Sequence, residues 1–206
     1  MTEQDLAPQG TQEWLRARCG WLGASSMSDV LAKGQGITRT KCLRRIVAEL
    51  LTGKPMETYQ NAHMERGNEQ EPFARASYEA ITGNLVEETG FIKHATLRCG
   101  FSPDGLIGLD GGVEIKSVIP TVQLETVIKG GYPSEHKAQI QGSLWISGRQ
   151  WWDFCSWSED MPEHLRTYIF RVVRDEAYIT NLAAEVEVFL GEVYALVEKL
   201  NARKAV

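Results

Sequence analysis

The sequence predicts one α/β domain built on a central mixed sheet, and three observations predict it. Helical periodicity dominates residues 11–82. Short β-type runs divided by Gly, Pro and Asp fill 84–118. A helical crossover then leads to two further strands at 150–157 and 166–173. The length of 206 residues suits a single domain with a sizeable core, and 43% hydrophobic with 24% charged residues is ordinary for a soluble globular protein.

Residues 1–10 read as a loose tail ahead of a domain spanning 11–206. From Thr11 the pattern is helical through Trp14, Leu15, Arg16 and Arg18, until Gly20–Gly23 breaks it. Ala24-Ser25-Ser26 offers an N-cap to a short helix through Met27, Val30 and Leu31. Residues 38–52 set Cys42, Leu43, Ile46, Val47, Leu50 and Leu51 on one stripe, which Gly53-Lys54-Pro55 stops. A helix over 61–82 is expected to turn Phe73, Tyr78 and Ile81 inward. Helices at 121–129 and 135–147 form the crossover. The strand at 150–157 is rich in Trp, and the one at 166–173 alternates Tyr168, Phe170 and Val172. The last helix, 175–203, carries an apolar stripe through Ile179, Leu182, Val186, Phe189, Val193, Leu196 and Leu200. Neither an internal repeat nor a low-complexity tract is present.

No apolar run approaches the roughly 20 residues of a membrane span, and the first residues have neither a basic start nor an apolar stretch, so a secretory signal is not expected. Cys19, Cys42, Cys99 and Cys155 are scattered without a Cys-x-x-Cys pair and read as the reduced thiols of a cytosolic protein. A net charge of −5 argues against non-specific adhesion to nucleic acid over the whole surface. A locally basic channel remains compatible with it, and the basic residues are uneven: Arg16 and Arg18, then Arg39, Lys41, Arg44 and Arg45.

The chemistry concentrates in residues 102–116, Ser-Pro-Asp-Gly-Leu-Ile-Gly-Leu-Asp-Gly-Gly-Val-Glu-Ile-Lys. Alternate side chains of a strand share a face, so Glu114 and Lys116 point the same way, and Asp104 at the far end of the hairpin can fold back towards them. Two carboxylates and one ammonium on one face can hold a hard divalent cation and orient a water beside it. The same residues would also make a plain surface ion pair on a common Asp–Gly hairpin. Against that, Leu106, Ile107, Leu109, Val113, Ile115 and Val118 flank them, so the strand is expected to be half-buried, where charges need a partner or a metal.

Five blocks carry a resemblance: Ser-Pro-Asp-Gly-Leu at 102–106, Glu-Ile-Lys-Ser at 114–117, Ala-Gln-Ile-Gln-Gly-Ser-Leu-Trp-Ile at 138–146, Trp-Leu-Arg-Ala-Arg-Cys-Gly-Trp-Leu-Gly-Ala-Ser at 14–25 and Gly-Asn-Glu-Gln-Glu at 67–71. In this order and spacing the chain resembles the phage lambda exonuclease family, also called YqaJ-like viral recombinases, of the restriction-endonuclease-like PD-(D/E)xK superfamily. The resemblance spans residues 11–175 and implies a restriction-endonuclease-like central mixed β-sheet flanked by helices. It implies Asp104, Glu114 and the backbone carbonyl of Ile115 as ligands of Mg²⁺, for which Mn²⁺ would substitute. It gives Lys116 the attacking water and the charge developing on the phosphate. Glu71 and Gln139 are implied as supports; without the family, Glu71 reads as solvated helix surface and Gln139 as an exposed helical glutamine. Arg18, Ser25 and Ser102 are implied as the pocket for a 5′-terminal phosphate, against a surface ion pair for Arg18 and a plain N-cap for Ser25. Met64 takes the place of an apolar strand-separating wedge, although a helical Met is more often core. Arg39, Lys41, Arg45 and Lys137 are candidate phosphate contacts or solvated charges.

The activity so implied is 5′→3′ hydrolysis of double-stranded DNA ends to mononucleotides, leaving 3′ single strands for recombination. A homotrimeric ring, a single-strand annealing protein as partner, and the cytoplasm of a bacterial host carrying a phage or prophage complete the expectation. The alternatives are an endonuclease of the same fold and a catalytically silent DNA-end-binding adaptor. The chain departs from the family after the lysine, where Ser117-Val118 stands in place of a Cys-Pro-like pair and no Lys or Arg follows until Lys129. Trp145, Trp151, Trp152 and Trp157 invite base stacking, but their place in helix and strand favours core or subunit packing.

Overall fold

The computed structural model describes residues 3–32, 36–56 and 62–203, with the side chains of Glu3, of residues 62–65 and of Asn68 outside that description. Its first half is mainly helical: β1 (Glu3–Gln4), α1 (Gln12–Arg18), β2 (Leu22–Gly23), a 3₁₀ turn at Ala24–Ser26, α2 (Met27–Leu31), α3 (Ile37–Thr52) and α4 (Ala62–Thr82). Strands β3 (Ile92–Lys93), β4 (Cys99–Phe101), β5 (Gly105–Ile107) and β6 (Gly111–Ser117) follow. Then come α5 (Pro120–Lys129), a 3₁₀ turn at Ser134–His136, α6 (Lys137–Ser147), β7 (Trp151–Trp157), α7 (Glu163–Arg166), β8 (Thr167–Val173) and α8 (Glu176–Asn201).

Local chemistry sets the ends of the helices. Thr11 accepts from the N–H of Trp14 and Asp175 from that of Tyr178, so α1 and α8 each begin on a side-chain cap. Gly53, at φ +66°, closes α3 with its N–H on the Glu49 carbonyl. The stripe on α8 is buried as its spacing predicts, from Ile179 through Val193, with Leu196 and Leu200 packed beside it.

The mixed sheet expected from the sequence is present, and a second, smaller mixed sheet stands beside it. The smaller has the order β1-β3-β4-β2 and the larger β5-β6-β7-β8, in which only β6 and β7 run parallel. One core lies between the larger sheet and the layer of α2, α3, α6 and α8, around Trp152, Phe154, Leu144 and Phe189. A second, smaller core fixes α4 on the opposite face through Ala74 and Tyr78, against Val113, Ile115, Cys155 and Trp157. Trp152 and Trp157 are thus core residues.

Two further expectations are corrected. The loose tail is tied down: Glu3–Gln4 pair with β3, and the Asp5 N–H bonds the Phe91 carbonyl. Of the three α4 residues expected inward, Tyr78 alone is buried; Phe73 and Ile81 are 66% and 62% exposed. Among the described residues no helix is long and apolar enough to cross a membrane.

Candidate active site

The larger sheet meets the smaller one at Ser102-Pro103-Asp104, the three residues between β4 and β5. On its outer edge Leu106 exchanges both backbone bonds with Glu87, at 2.8 and 2.9 Å. In an antiparallel ladder bonded pairs alternate, so Gly105–Val113 and Ile107–Gly111 are the pairs that bond across the hairpin. The next in that series would be Pro103–Ile115, and it does not form. Proline has no N–H to give, and the Pro103 carbonyl accepts from Gln9 Nε2 at 2.7 Å. The Ile115 N–H turns instead to Asp104 Oδ2, at 2.6 Å. Since the N–H and C=O of one strand residue leave the same edge, the Ile115 carbonyl faces the Asp104 carboxylate across the gap.

Glu114 and Lys116 lie on the α6 face of β6. Glu114 is only 2% exposed; its Oε1 accepts from Gln139 Nε2 at 2.6 Å and pairs with the Lys116 ammonium. Glu71 reaches the same corner from α4. The charges are strongly coupled. Burial, then Glu114, pushes Asp104 up to about 7, opposed by Lys116, the Ile115 N–H and Arg75. Burial, then Asp104, also raises Glu71 above the usual carboxylate range, with Arg75 opposing. Burial works against the Lys116 ammonium, but Glu114 and Asp104 outweigh it and hold the lysine protonated above its ordinary value.

This donor set suits a hard cation. Among the described residues no three His, Cys, Asp or Glu side chains close a metal site by themselves. Asp104, Glu114 and the Ile115 carbonyl offer oxygen only, which fits an ion that keeps several waters. Burial and then the repulsion from Glu114 raise Asp104, and such an ion would relieve that repulsion.

A second cluster lies on the smaller sheet. The Arg18 guanidinium stacks 4.1 Å from the centre of the Trp14 ring, and Trp14 Nε1 donates to Ser102 Oγ at 2.9 Å. Gly23 forms the floor: a Cβ there would sit 3.4 Å from the Arg18 guanidinium and 3.6 Å from Ser25 Oγ. The structure therefore brings Arg18, Ser25 and Ser102 together, two residues upstream of Asp104. Among the described residues no hydrogen-bond acceptor takes the Arg18 guanidinium. Burial, then Arg45, lowers its pKa to about 10, with Glu49 opposing. The sequence reading gave Trp14 no part in this cluster, although its spacing of four from Arg18 on a helix was the available signal.

The remaining candidates stand apart from this corner or are engaged elsewhere. Arg39 forks onto Glu192 at 2.7 and 2.9 Å, and Lys137 pairs with Asp175 at 2.9 Å while lying over Tyr178. Arg45 pairs with Glu49 beside the Arg18 cluster. Lys41 is exposed, and the side chain of Met64 lies outside the described residues.

A mixed sheet flanked by helices, with Asp, Glu and Lys gathered where its hairpin stops short, defines the restriction-endonuclease-like class. Within that class, the model of the YqaJ-like viral recombinase domain matches residues 13–150, and the chain belongs to this family. Among solved structures, an alkaline exonuclease (LHK-Exo) from Laribacter hongkongensis is 38% identical over 93% of this chain and 96% of its own, with a TM-score of 0.86. LHK-Exo in complex with dAMP superimposes with a TM-score of 0.87, again at 38% identity, over 92% of this chain and 96% of that one. A phage related exonuclease from Haemophilus somnus 129PT, 14% identical over 87% of this chain and 96% of its own, shares the fold at a TM-score of 0.68. A comparison with curated protein sequences gives no match.

Proposed function

We propose that the chain is a Mg²⁺-dependent nuclease that degrades linear double-stranded DNA in the 5′→3′ direction from 5′-phosphorylated ends, releasing mononucleotides and leaving a 3′ single strand. The observation that carries this reading is the placement of Ser102 and Asp104 on one chain segment. Two residues of extended backbone span about 6.6 Å, close to the spacing of successive phosphates on a strand. An end phosphate in the Arg18 pocket would set the next phosphodiester against Asp104 and Glu114. The 38% identical exonuclease, solved with the mononucleotide dAMP, supports the same assignment.

In this reading Asp104, Glu114 and the Ile115 carbonyl would hold Mg²⁺, or Mn²⁺ in its place, which would supply Lewis-acid charge and activate a water. The Lys116 ammonium positions that water and offsets charge on the phosphate. Gln139 holds the Glu114 carboxylate in register through its 2.6 Å bond. Arg18 offers a fork to the terminal phosphate, with Ser25 and Ser102 as hydroxyl donors and Arg45 adding positive potential. A homotrimeric ring around DNA, a single-strand annealing partner, and phage-type recombination in a bacterial cytoplasm belong to the same proposal.

Digestion of end-labelled linear duplexes, with and without a 5′-phosphate, in Mg²⁺ and in chelator, tests it. The expected result is Mg²⁺-dependent release of mononucleotides from phosphorylated 5′ ends, with closed circles untouched. Arg18→Ala is expected to erase the phosphate preference. Cutting of closed circles would turn the assignment to an endonuclease. End binding without any loss of duplex would turn it to an adaptor.

A further inference from the structure

Arg75 stands beside the Asp104–Glu114–Lys116 corner and has no part in the proposed hydrolysis itself. Its side chain, only 14% exposed, reaches two carboxylates from separate segments: Glu71 Oε1 at 2.6 Å, one helical turn away on α4, and Glu88 on the segment that leads into β3. Arg75 is the one hydrogen-bond donor to the Glu71 carboxylate among the described residues. Its Nε is buried without a partner, so the two terminal nitrogens alone fix the guanidinium. Glu88 follows Glu87, whose backbone is locked to Leu106 of β5 by bonds of 2.8 and 2.9 Å. The arginine therefore ties α4 to β5, the strand that follows Asp104, and its charge also acts on Asp104.

We propose that Arg75 is a positioning residue for the cutting centre: it bridges Glu71 to Glu88 and thereby holds the Glu71 carboxylate over Asp104. The proposal rests on the reading that Glu71 supports hydrolysis. A free Glu71 side chain would have several rotamers and two like charges to avoid; the fork removes that freedom. Lysine does not replace it, because a single ammonium lacks the planar fork that spans two carboxylates.

The test is a double-variant cycle in single-turnover hydrolysis of a 5′-phosphorylated duplex with Mn²⁺ titrated: wild type, Arg75→Ala, Glu71→Ala and both together. Each single variant is expected to slow hydrolysis about 10–100-fold, the usual range for a residue that orients a metal-site group. The double variant is expected to be no slower than Glu71→Ala. Arg75→Ala is also expected to need more Mn²⁺ for its half-maximal rate while binding phosphorylated ends in chelator as the wild type does, which a damaged fold would not. Should Arg75→Ala fail to fold, Arg75→Lys takes its place with the same expected losses. A wild-type rate for the Arg75 variant beside a slow Glu71→Ala, or losses that simply add, overturns the proposal and leaves the role of Glu71 standing. A wild-type rate for Glu71→Ala overturns both.

Discussion

Lys116 holds its charge in a half-buried position because Glu114 and Asp104 surround it, so its removal leaves carboxylates without their ammonium. Lys116→Ala is expected to lower single-turnover hydrolysis by about 10²–10³-fold, the range for losing one donor to developing charge. End binding, measured by fluorescence anisotropy in chelator, is expected to stay near wild type, since the Arg18 pocket is built on another sheet. The proximity of Asp104, Glu114 and Lys116 was legible in the sequence because they lie within one short stretch and the strand period gives their faces. Trp14, Pro103 and Arg75 were not singled out. Their roles depend on a ladder register and on helix phases that join distant segments, and each residue alone has an ordinary alternative. Arg39 and Lys137 show the converse: they read as phosphate contacts or solvated charges in the sequence, whereas the fold turns each onto a carboxylate.

The span of helix α4 was legible, and its inward face was not. Its sheet-facing positions are Glu71, Ala74, Arg75 and Tyr78, spaced as a helical face should be, but large aliphatic residues are missing from it. Phe73 and Ile81, which would normally mark the buried side, stand exposed. Beside the small apolar core at Ala74 and Tyr78, polar bonds fix the helix. The Tyr78 hydroxyl donates to Asp153 Oδ2 at 2.7 Å, and Arg171 forks onto the same carboxylate at 2.8 and 2.9 Å. Burial, then Asp153, raises the Tyr78 pKa, so its hydroxyl remains a donor well into the alkaline range. Tyr78→Phe leaves the 2% exposed Asp153 with one donor group fewer and is expected to cost about 1–3 kcal/mol in urea unfolding. Helix α8 poses no such difficulty: its stripe faces only the core, and pattern and packing agree throughout.

At the scale of the whole molecule, the order of helices and strands was legible, and the division into two sheets was not, because β1, β2 and β3 have two residues each and give no periodic signal. Large apolar side chains stand bare on the isolated chain, Leu109 at 90% exposure and Phe73 and Ile81 on α4 among them, and surface of this kind is what assembly covers. Light scattering is expected to give three times the chain mass of 23.1 kDa; the mass of one chain would remove the ring from the proposal. The boundary between the sheets has a consequence of its own. Were residue 103 able to donate, β5 could zip one rung further onto Ile115, and β4 and β5 could merge into a single strand running through both sheets. The carbonyl now open to a cation would then be spent on the ladder. The seam that divides the architecture and the carbonyl left for the proposed cation thus trace to one missing hydrogen, and that part of the proposed coordination would be written in backbone, where a change of the Ile115 side chain leaves it untouched.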